Sequence, residues 1–310
     1  MFDSTYLEKL KTKYNYDDKT IKALSLVIPE ILNYYGEDYS DIILNAIYNC
    51  QIIACNSHET ISKVLRERKL TPMIGSSPVS EIDIKRAESV YVPNIKISYD
   101  SENNSYNIDK VDRIIVTSHT FNFDSLKGLE VLTHALCHLV KGFNDELTIE
   151  ENVLTIRNGI SYEKRKIVYD NEIFLDFIED YGKGLEEGFN LYDTDKIVSA
   201  VYKENYKSYD FDSIYTIATI LKEKYNLKKE INSYELIGDY ENFEKKYSAD
   251  VIKDLCSTCD TCVCLENDML LSFSREEKNN YAKNINKILS DNAYNKLVSI
   301  YEQKQKTKNI

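Results

Sequence analysis

The sequence predicts an α+β protein, with a small β-sheet and a hairpin inside a mostly helical chain. Apolar residues recur at helical spacing across Asp18–Tyr35 and again across Leu126–Leu139. Between these segments, the β-branched run Arg113–Ser118 is typical of a strand. Further on, Asn158-Gly159 separates two segments rich in strand formers and favours the tight turn of a β-hairpin.

The first third of the chain is predicted to be helical. The apolar spacing gives helices over Asp18–Tyr35, Tyr39–Cys55 and Glu59–Arg68. The densest turn signal follows at Thr71–Pro78, where two prolines and a glycine lie within eight residues. We therefore place a boundary between subdomains there.

Strand character replaces helical spacing in the middle of the chain. Val92–Tyr99 alternates after its proline, and Asp100–Asn104 is typical of a turn. A helix then begins at Asp124 or Ser125, since either side chain can cap it, and Gly142 is a natural end.

The downstream half divides at the predicted hairpin. Residues 153–164 form this hairpin around its Asn-Gly turn, and the chain beyond Phe174 is predicted to be helical. The sequence thus suggests an N-terminal helical region (1–72), a central core (73–195) and a C-terminal helical subdomain (196–310).

Composition excludes several classes of function. The 310 residues include 39 Lys and Arg against 51 Asp and Glu, a formal net charge of −12. Nucleic acids and anionic membranes are bound by basic surfaces, so the acidic balance argues against a general binder of either kind. The longest apolar run, Ile42–Cys55, is too short to span a bilayer. Because no secretory signal begins the sequence, we expect a cytoplasmic protein, with release by a signal-less route left open.

Two histidines carry the clearest chemical signal. His134 and His138 lie four residues apart in a predicted helix, so both imidazoles share one face and can reach a single metal ion. With four histidines in the chain, this spacing arises by chance in roughly 4% of cases. A helical scaffold with accidental histidine spacing is therefore the weakest of the alternatives.

A catalytic zinc ion needs a third protein ligand and an open position. His134-xxx-His138, followed at a distance by Glu187-Gly188-Phe189, resembles the gluzincin metallopeptidases. These zincins carry HExxH on one helix and take a glutamate from a second helix. The resemblance implies a zincin-like core with one catalytic zinc held by His134, His138 and Glu187. Glu186 is the competing third ligand, and Glu187 is favoured because it directly precedes the glycine.

The sequence departs from this family at Ala135, where zincins carry glutamate. That glutamate is the general base, which takes a proton from the attacking water and passes it to the leaving amine. Alanine can do neither, so peptidase turnover should be nearly lost while metal ligation survives. We favour a deliberately inactivated form of a parent that carries glutamate here; a naturally non-catalytic protein is the alternative.

Peptide hydrolysis also needs a group that stabilises the oxyanion and a surface that holds the substrate. The resemblance implies a tyrosine, with Tyr181 as first choice and Tyr202, Tyr206 and Tyr209 as rivals. In the zincin fold an edge strand before the active-site helix binds the substrate in extended form. Arg113–Phe123 occupies that place, and strand addition is the expected mode of binding.

A second metal site is a weaker prediction. Four cysteines lie within nine residues, and four thiolates can bind zinc or an iron–sulfur cluster. The compact C-x2-C-x2-C-x-C run does not match two separated CxxC knuckles, so reduced cysteines in a helical segment are the alternative. The residues are Cys256, Cys259, Cys262 and Cys264.

The sequence therefore predicts a zinc-dependent metallopeptidase that acts on a peptide or protein substrate and is disabled at Ala135. The alternative is a non-catalytic protein that uses the same fold to bind a peptide or protein partner. Neither nucleic acid nor a membrane is an expected partner.

Overall fold

The computed structural model of the chain is a mixed α+β fold, in agreement with the sequence. None of its described helices combines the length and the apolar character needed to cross a bilayer. The described residues are 16–49, 51–55, 58–67, 89–118, 126–142, 146–170, 172–207, 212–224, 227–237, 240–247 and 249–272, with the single residues 12 and 295.

Nine α-helices lie in the described ranges. A 3₁₀ turn (Glu37–Tyr39) joins the first two helices, and a π-turn (Ile220–Lys224) follows the sixth. The helices are α1 (Asp18–Tyr35), α2 (Ser40–Tyr48), α3 (His58–Glu67), α4 (Leu126–Lys141), α5 (Lys183–Tyr202), α6 (Asp212–Thr219), α7 (Lys228–Ile237), α8 (Tyr240–Tyr247) and α9 (Ala249–Ser272).

Seven strands of the described ranges form two sheets. The first sheet has the order β1-β3-β2, with β1 parallel and β2 antiparallel to β3. The second is an antiparallel meander in the order β4-β5-β6-β7. The strands are β1 (Ile52–Cys55), β2 (Ser89–Asp100), β3 (Ser105–Ser118), β4 (Glu146–Glu150), β5 (Val153–Asn158), β6 (Ser161–Asp170) and β7 (Glu172–Tyr181).

Most of the predicted elements are confirmed, and two boundaries are wrong. The helix predicted over Tyr39–Cys55 ends at Tyr48, because Ile52–Cys55 pairs with Ile115–Ser118 as a strand. The helical prediction beyond Phe174 is wrong as far as Tyr181, where β7 pairs with β6. The predicted turn at 71–78 and the predicted caps at 124 and 125 lie outside the described residues.

The strand before α4 is not the edge that the sequence predicts. Within Arg113–Phe123, residues Ile115–Ser118 pair with β1 on one side, and Ile115–Thr117 pair with β2 on the other. Strand addition needs free main-chain groups, so this stretch has none to offer a peptide. Residues 119–123 lie outside the described residues. Among the described residues, the outer strands of this sheet are instead β1 and β2.

The predicted hairpin is confirmed, with its turn displaced by one residue. Asn158 pairs with Ser161, so Gly159 and Ile160 form the two-residue loop. Gly159 has φ +53°, whereas Asn158 and Ile160 do not have positive φ. Positive φ at the first central residue alone matches a type II′ turn and not the type I′ turn expected from Asn-Gly.

The main hydrophobic cluster lies under α4. It joins apolar side chains from α1, α2, β1, β3, α4, α5 and α7, including Ile31, Ile47, Ile115 and Leu136. The cluster therefore contains described residues from all three predicted regions. The division of the chain at residues 72 and 195 stays a prediction.

The N-terminus of α5 is held by α9. Asp260 accepts hydrogen bonds from the backbone N–H groups of Gly182 and Gly184, at 2.8 Å and 2.7 Å. These contacts satisfy N-terminal donors that a helix cannot satisfy internally. A Cβ at Gly184 would lie 2.5 Å from the backbone carbonyl of Cys259, so the two helices touch through their backbones.

Candidate metal centre

Helix α4 brings its two histidines to one partly exposed stripe. Leu132, Leu136 and Leu139 are at most 1% exposed and face the main cluster. His134 and His138 lie on another side of the helix, with 22% and 21% of their side chains exposed. Burial of the leucine face therefore fixes the rotation of α4 and turns both imidazoles the same way.

Helix α5 supplies the third side chain of the candidate metal centre, Glu187. Glu187 Oε1 lies 3.0 Å from His134 Nε2, and Glu187 Oε2 lies 3.2 Å from His138 Nε2. The two Nε2 atoms are 3.1 Å apart. Among the described residues, this is the one group of three or more His, Cys, Asp or Glu side chains that could hold a metal ion.

These distances fit a zinc-binding set. Ligand atoms around a tetrahedral zinc ion, with Zn–N near 2.0–2.1 Å, lie about 3.3 Å from one another. Two imidazole nitrogens and a carboxylate are ligands that zinc accepts, and three protein ligands leave one position open. Because all three side chains are partly exposed, solvent can reach that position.

Hydrogen bonding alone accounts poorly for the arrangement. If each Nε2 donates its proton to a carboxylate oxygen of Glu187, the two Nε2 atoms meet at 3.1 Å as two donors without an acceptor. A cation between the three side chains removes this conflict, because each nitrogen then offers a lone pair. The donor set therefore fits a metal ion.

The charges of the three side chains are strongly coupled. Burial alone would raise the pKa of Glu187, but the two imidazoles outweigh it and hold the pKa well below its usual value. Burial alone would lower the pKa of His134, and the Glu187 carboxylate reverses this and raises it. For His138, burial prevails and the pKa is lowered. Glu187 is thus held as an anion.

Three residues next to the candidate metal centre were not predicted from the sequence. Asn190 donates from Nδ2 to the backbone oxygen of His134 at 3.1 Å, which ties α5 to α4. The Tyr91 ring, from β2, stacks on His138 with centroids 6.1 Å apart. Glu130 precedes His134 by one turn of α4 and is 4% exposed. Helical spacing from the ligands could have indicated Glu130 and Asn190, whereas nothing local indicates Tyr91.

The tyrosines predicted to stabilise an oxyanion are differently placed. Tyr181 stacks on Tyr162, with centroids 5.2 Å apart. It also packs against a second group of buried apolar side chains, the cluster between α5 and α9, which includes Phe189 and Cys259. Tyr206 donates a hydrogen bond to Glu130, one turn before His134. Tyr202 packs against the main hydrophobic cluster, and Tyr209 lies outside the described residues. A catalytic role for Tyr181 stays a prediction.

Ala135 belongs to the main hydrophobic cluster. It is 2% exposed and directly follows His134 on α4. A glutamate there would need to direct its carboxylate out of the apolar packing and toward the open side of the histidines.

A group of buried charged side chains joins α4, α5, the π-turn and α7. Lys141 Nζ is 2.8 Å from Glu235 Oε1 and 3.2 Å from Asp193 Oδ2. Lys222 Nζ is 2.8 Å from Asp193 Oδ1 and 3.3 Å from Glu235 Oε2. Each of these four side chains is at most 1% exposed. We call Lys141, Asp193, Lys222 and Glu235 the buried ion cluster.

Glu186, the competing third ligand, points toward the buried ion cluster. Its Oε1 lies 3.9 Å from Lys141 Nζ, and neither oxygen has a hydrogen-bond partner among the described residues. Burial first, and then the nearby Glu235 carboxylate, raises the pKa of Glu186 to about 8. This shift favours the neutral form of Glu186. The positive charges of Lys141 and Lys222 are therefore balanced by the carboxylates of Asp193 and Glu235.

We expect the free energy of unfolding to fall at low pH because of the buried ion cluster. Burial alone would raise the pKa of Asp193, but Lys222 and Lys141 lower it from 3.8 to about 2. The contribution of Asp193 to stability is therefore fully present above about pH 5 and is lost as pH falls toward 2, an effect of about 2 kcal/mol. Urea denaturation at pH 5 and pH 2.5 should show this loss in the wild type and a smaller one in Asp193→Asn. An equal loss in both proteins would contradict the assignment.

The cysteine run is part of a continuous helix. Cys256, Cys259 and Cys262 lie three residues apart on α9 with buried free thiols, and they pack in the cluster between α5 and α9. They do not belong to any convergent ligand group of the described residues. The side chain of Cys264 lies outside the described residues. A second metal at this run therefore stays a prediction, and packing accounts for the three described thiols.

Comparison with known proteins adds no further constraint. No family model, curated protein or solved structure matches the chain. The candidate metal centre is therefore the feature from which a function can be inferred.

Proposed function

We propose that the protein is a zinc-dependent peptide hydrolase of the zincin class whose general-base position is occupied by Ala135. The observation that carries the proposal is the convergence of His134, His138 and Glu187, whose nearest ligand atoms are 3.0–3.2 Å apart. The three side chains come from two helices and leave one side open to solvent. This combination is typical of catalytic zinc sites and not of closed structural ones.

The protein's own residues have separate tasks in this proposal. His134 and His138 offer Nε2 to the zinc ion, and Glu187 offers its carboxylate. When bound, zinc supplies Lewis-acid activation of a water molecule and of the substrate carbonyl. Asn190 holds the backbone of His134 against α5, so the two ligand-bearing helices keep their register.

In the described part of the chain, β2 is an outer strand of its sheet, and its outer edge is the surface that suits an extended peptide. Tyr91 of this strand stacks on His138, so β2 runs beside the candidate metal centre. Main-chain pairing along β2 would hold a peptide carbonyl near the open coordination position. This replaces Arg113–Phe123 as the proposed binding strand.

A non-catalytic peptide-binding protein is the second candidate function. It is favoured by the packing of Ala135, which is 2% exposed in the main hydrophobic cluster. In this case the metal and the β2 edge would capture a partner without hydrolysis. The two candidates share the metal site and differ only in what an acid at position 135 would do.

Metal binding tests the proposal directly. We expect one zinc ion per chain by isothermal titration, and a loss of at least about 100-fold in affinity for His134→Ala and for Glu187→Ala. Glu186→Gln is the matched control, because it changes the adjacent carboxylate and should keep the wild-type affinity. A wild-type chain without stoichiometric zinc, or equal losses at residues 186 and 187, would overturn the assignment.

A further inference from the structure

The buried ion cluster is unusual because it places four ionised side chains where water cannot reach them. Taking such charges out of water is costly, and their mutual attraction does not in general exceed that cost. Apolar side chains of similar size would stabilise the interior at least as well. The position of the buried ion cluster between α4 and α5 therefore says more about its role than its contribution to stability does.

The cluster connects the two helices that carry the metal ligands. Lys141 follows His138 by three residues on α4, so it lies on the same face of the helix one turn further along. Asp193 follows Glu187 by six residues on α5. The Lys141–Asp193 ion pair, at 3.2 Å, thus joins α4 to α5 one turn beyond His138.

Further contacts fix the cluster in place. Tyr34 and Tyr35 of α1 donate to the two carboxylate oxygens of Asp193, at 2.6 Å and 2.9 Å. Lys222 donates to Asn232 Oδ1 at 3.0 Å. Because every oxygen of Asp193 has two partners, its position is strongly specified.

We propose that Lys141 is a positioning residue for the metal centre: by bridging to Asp193 and Glu235, it holds α4, whose rotation the buried leucine face sets, in register against α5, so that the imidazoles meet Glu187. This rests on the proposed metal site, and it holds whether or not the site is catalytic. A ligand displaced by about 1 Å no longer fits the short zinc–ligand distances, which is why supporting residues control metal affinity.

Positioning and simple electrostatics predict opposite signs for removal of this lysine. A positive charge near the histidines repels a metal cation, so charge removal alone would strengthen binding. Loss of positioning would weaken it. The sign of the change therefore separates the two roles.

The test compares metal binding by wild type and Lys141→Met. We expect affinity for Zn²⁺, measured by competition with a chromogenic chelator, to fall by about 10- to 100-fold. Co²⁺ should give the intense visible bands of a four-coordinate site in the wild type and weaker, shifted bands in the variant. Lys141→Arg, which retains the charge and the donors, should recover part of the affinity. Lys164→Met, an exposed lysine of β6, is the charge-matched control and should bind as the wild type does.

The outcomes are distinct. Wild-type or tighter binding by Lys141→Met, with an unchanged Co²⁺ spectrum, overturns the positioning role and leaves the metal site intact. No binding by the wild type overturns both the site and its positioning residue. Lys141→Gln, a milder neutral replacement, is measured in parallel, and near-ultraviolet circular dichroism shows which variants are folded. If Lys141→Met is unfolded, the folded Lys141→Gln variant gives the same decision.

Discussion

Replacing Ala135 by glutamate should give the protein peptidase activity in the presence of zinc. Residue 135 follows the proposed ligand His134 by one position on α4, about 100° around the helix, which puts a longer side chain beside the candidate metal centre. A carboxylate there can accept the proton of the attacking water and return it to the leaving amine. We expect turnover of a susceptible peptide to rise by about 10²- to 10⁴-fold.

The buried environment of Ala135 sets a condition on this result. The residue is 2% exposed, so the added side chain must leave the main hydrophobic cluster to stay ionised. An ionised carboxylate held in apolar packing would be costly, and the variant would lose stability without gaining a base. The melting temperature and zinc stoichiometry of Ala135→Glu should therefore be measured before its activity.

Ala135→Gln is the matched control for this experiment. Glutamine has nearly the same size and shape as glutamate and can enter the same position, but it cannot accept the proton. Digestion of a diverse peptide library, followed by mass spectrometry, should show cleavage by Ala135→Glu with zinc and none by Ala135→Gln. Absence of cleavage by a folded, zinc-loaded Ala135→Glu variant would support the non-catalytic peptide-binding function instead.

The elements that the sequence predicted well are those with a complete local signal. The apolar spacing of α1 and α4 continues over four or more turns, which separates it from a strand pattern. The hairpin of β5 and β6 follows from a turn that is flanked by two strand segments, although the turn residues are displaced by one. These patterns need no information from distant parts of the chain.

The elements that were missed depend on distant partners. Ile52–Cys55 is an apolar run of four residues, too short for periodicity to separate helix from strand. It becomes β1 because its main chain pairs in parallel with β3, some 60 residues later. The β7 segment alternates Ile173, Leu175 and Phe177, a period of two that the helical prediction passed over.

The residues of the candidate site also divide into those with a local sequence signal and those that depend on distant partners. The spacing of His134 and His138 indicated a shared face of α4, and the sequence after Glu187 indicated the third ligand by resemblance. The Lys141–Glu235 contact of the buried ion cluster joins residues 94 positions apart, and nothing local marks either residue as buried. Charged residues are normally exposed, so only the folded chain reveals such a pair.

The cysteine run illustrates how a chemical pattern can arise from packing. Cys256, Cys259 and Cys262 have the spacing of ligands in sequence, but α9 continues through them and buries their thiols. The small side chains let α9 approach the first turn of α5 closely. At Gly184 there is no room for a Cβ next to the backbone of Cys259.

Gly184→Ala should therefore destabilise the protein strongly. The new Cβ would lie 2.5 Å from the backbone C and O atoms of Cys259, a distance that real Cβ atoms do not adopt. Backbone atoms in a long helix cannot turn aside as the end of a flexible side chain can, so α5 and α9 must separate. Separation also weakens the hydrogen bonds that the backbone N–H groups of Gly182 and Gly184 donate to the Asp260 carboxylate. We expect a loss of about 3 kcal/mol in the free energy of unfolding, at the upper end for overpacking.

Lys196→Ala on the same helix is the control, because the Lys196 side chain is 42% exposed and alanine favours a helix. Urea denaturation followed by circular dichroism should show a change below about 1 kcal/mol for this variant. Because alanine is a better helix former than glycine by about 1 kcal/mol, Gly184→Ala would stabilise α5 if that position faced solvent. A stabilised Gly184→Ala protein would therefore contradict the close crossing of α5 and α9, and with it the packing explanation of the cysteine run.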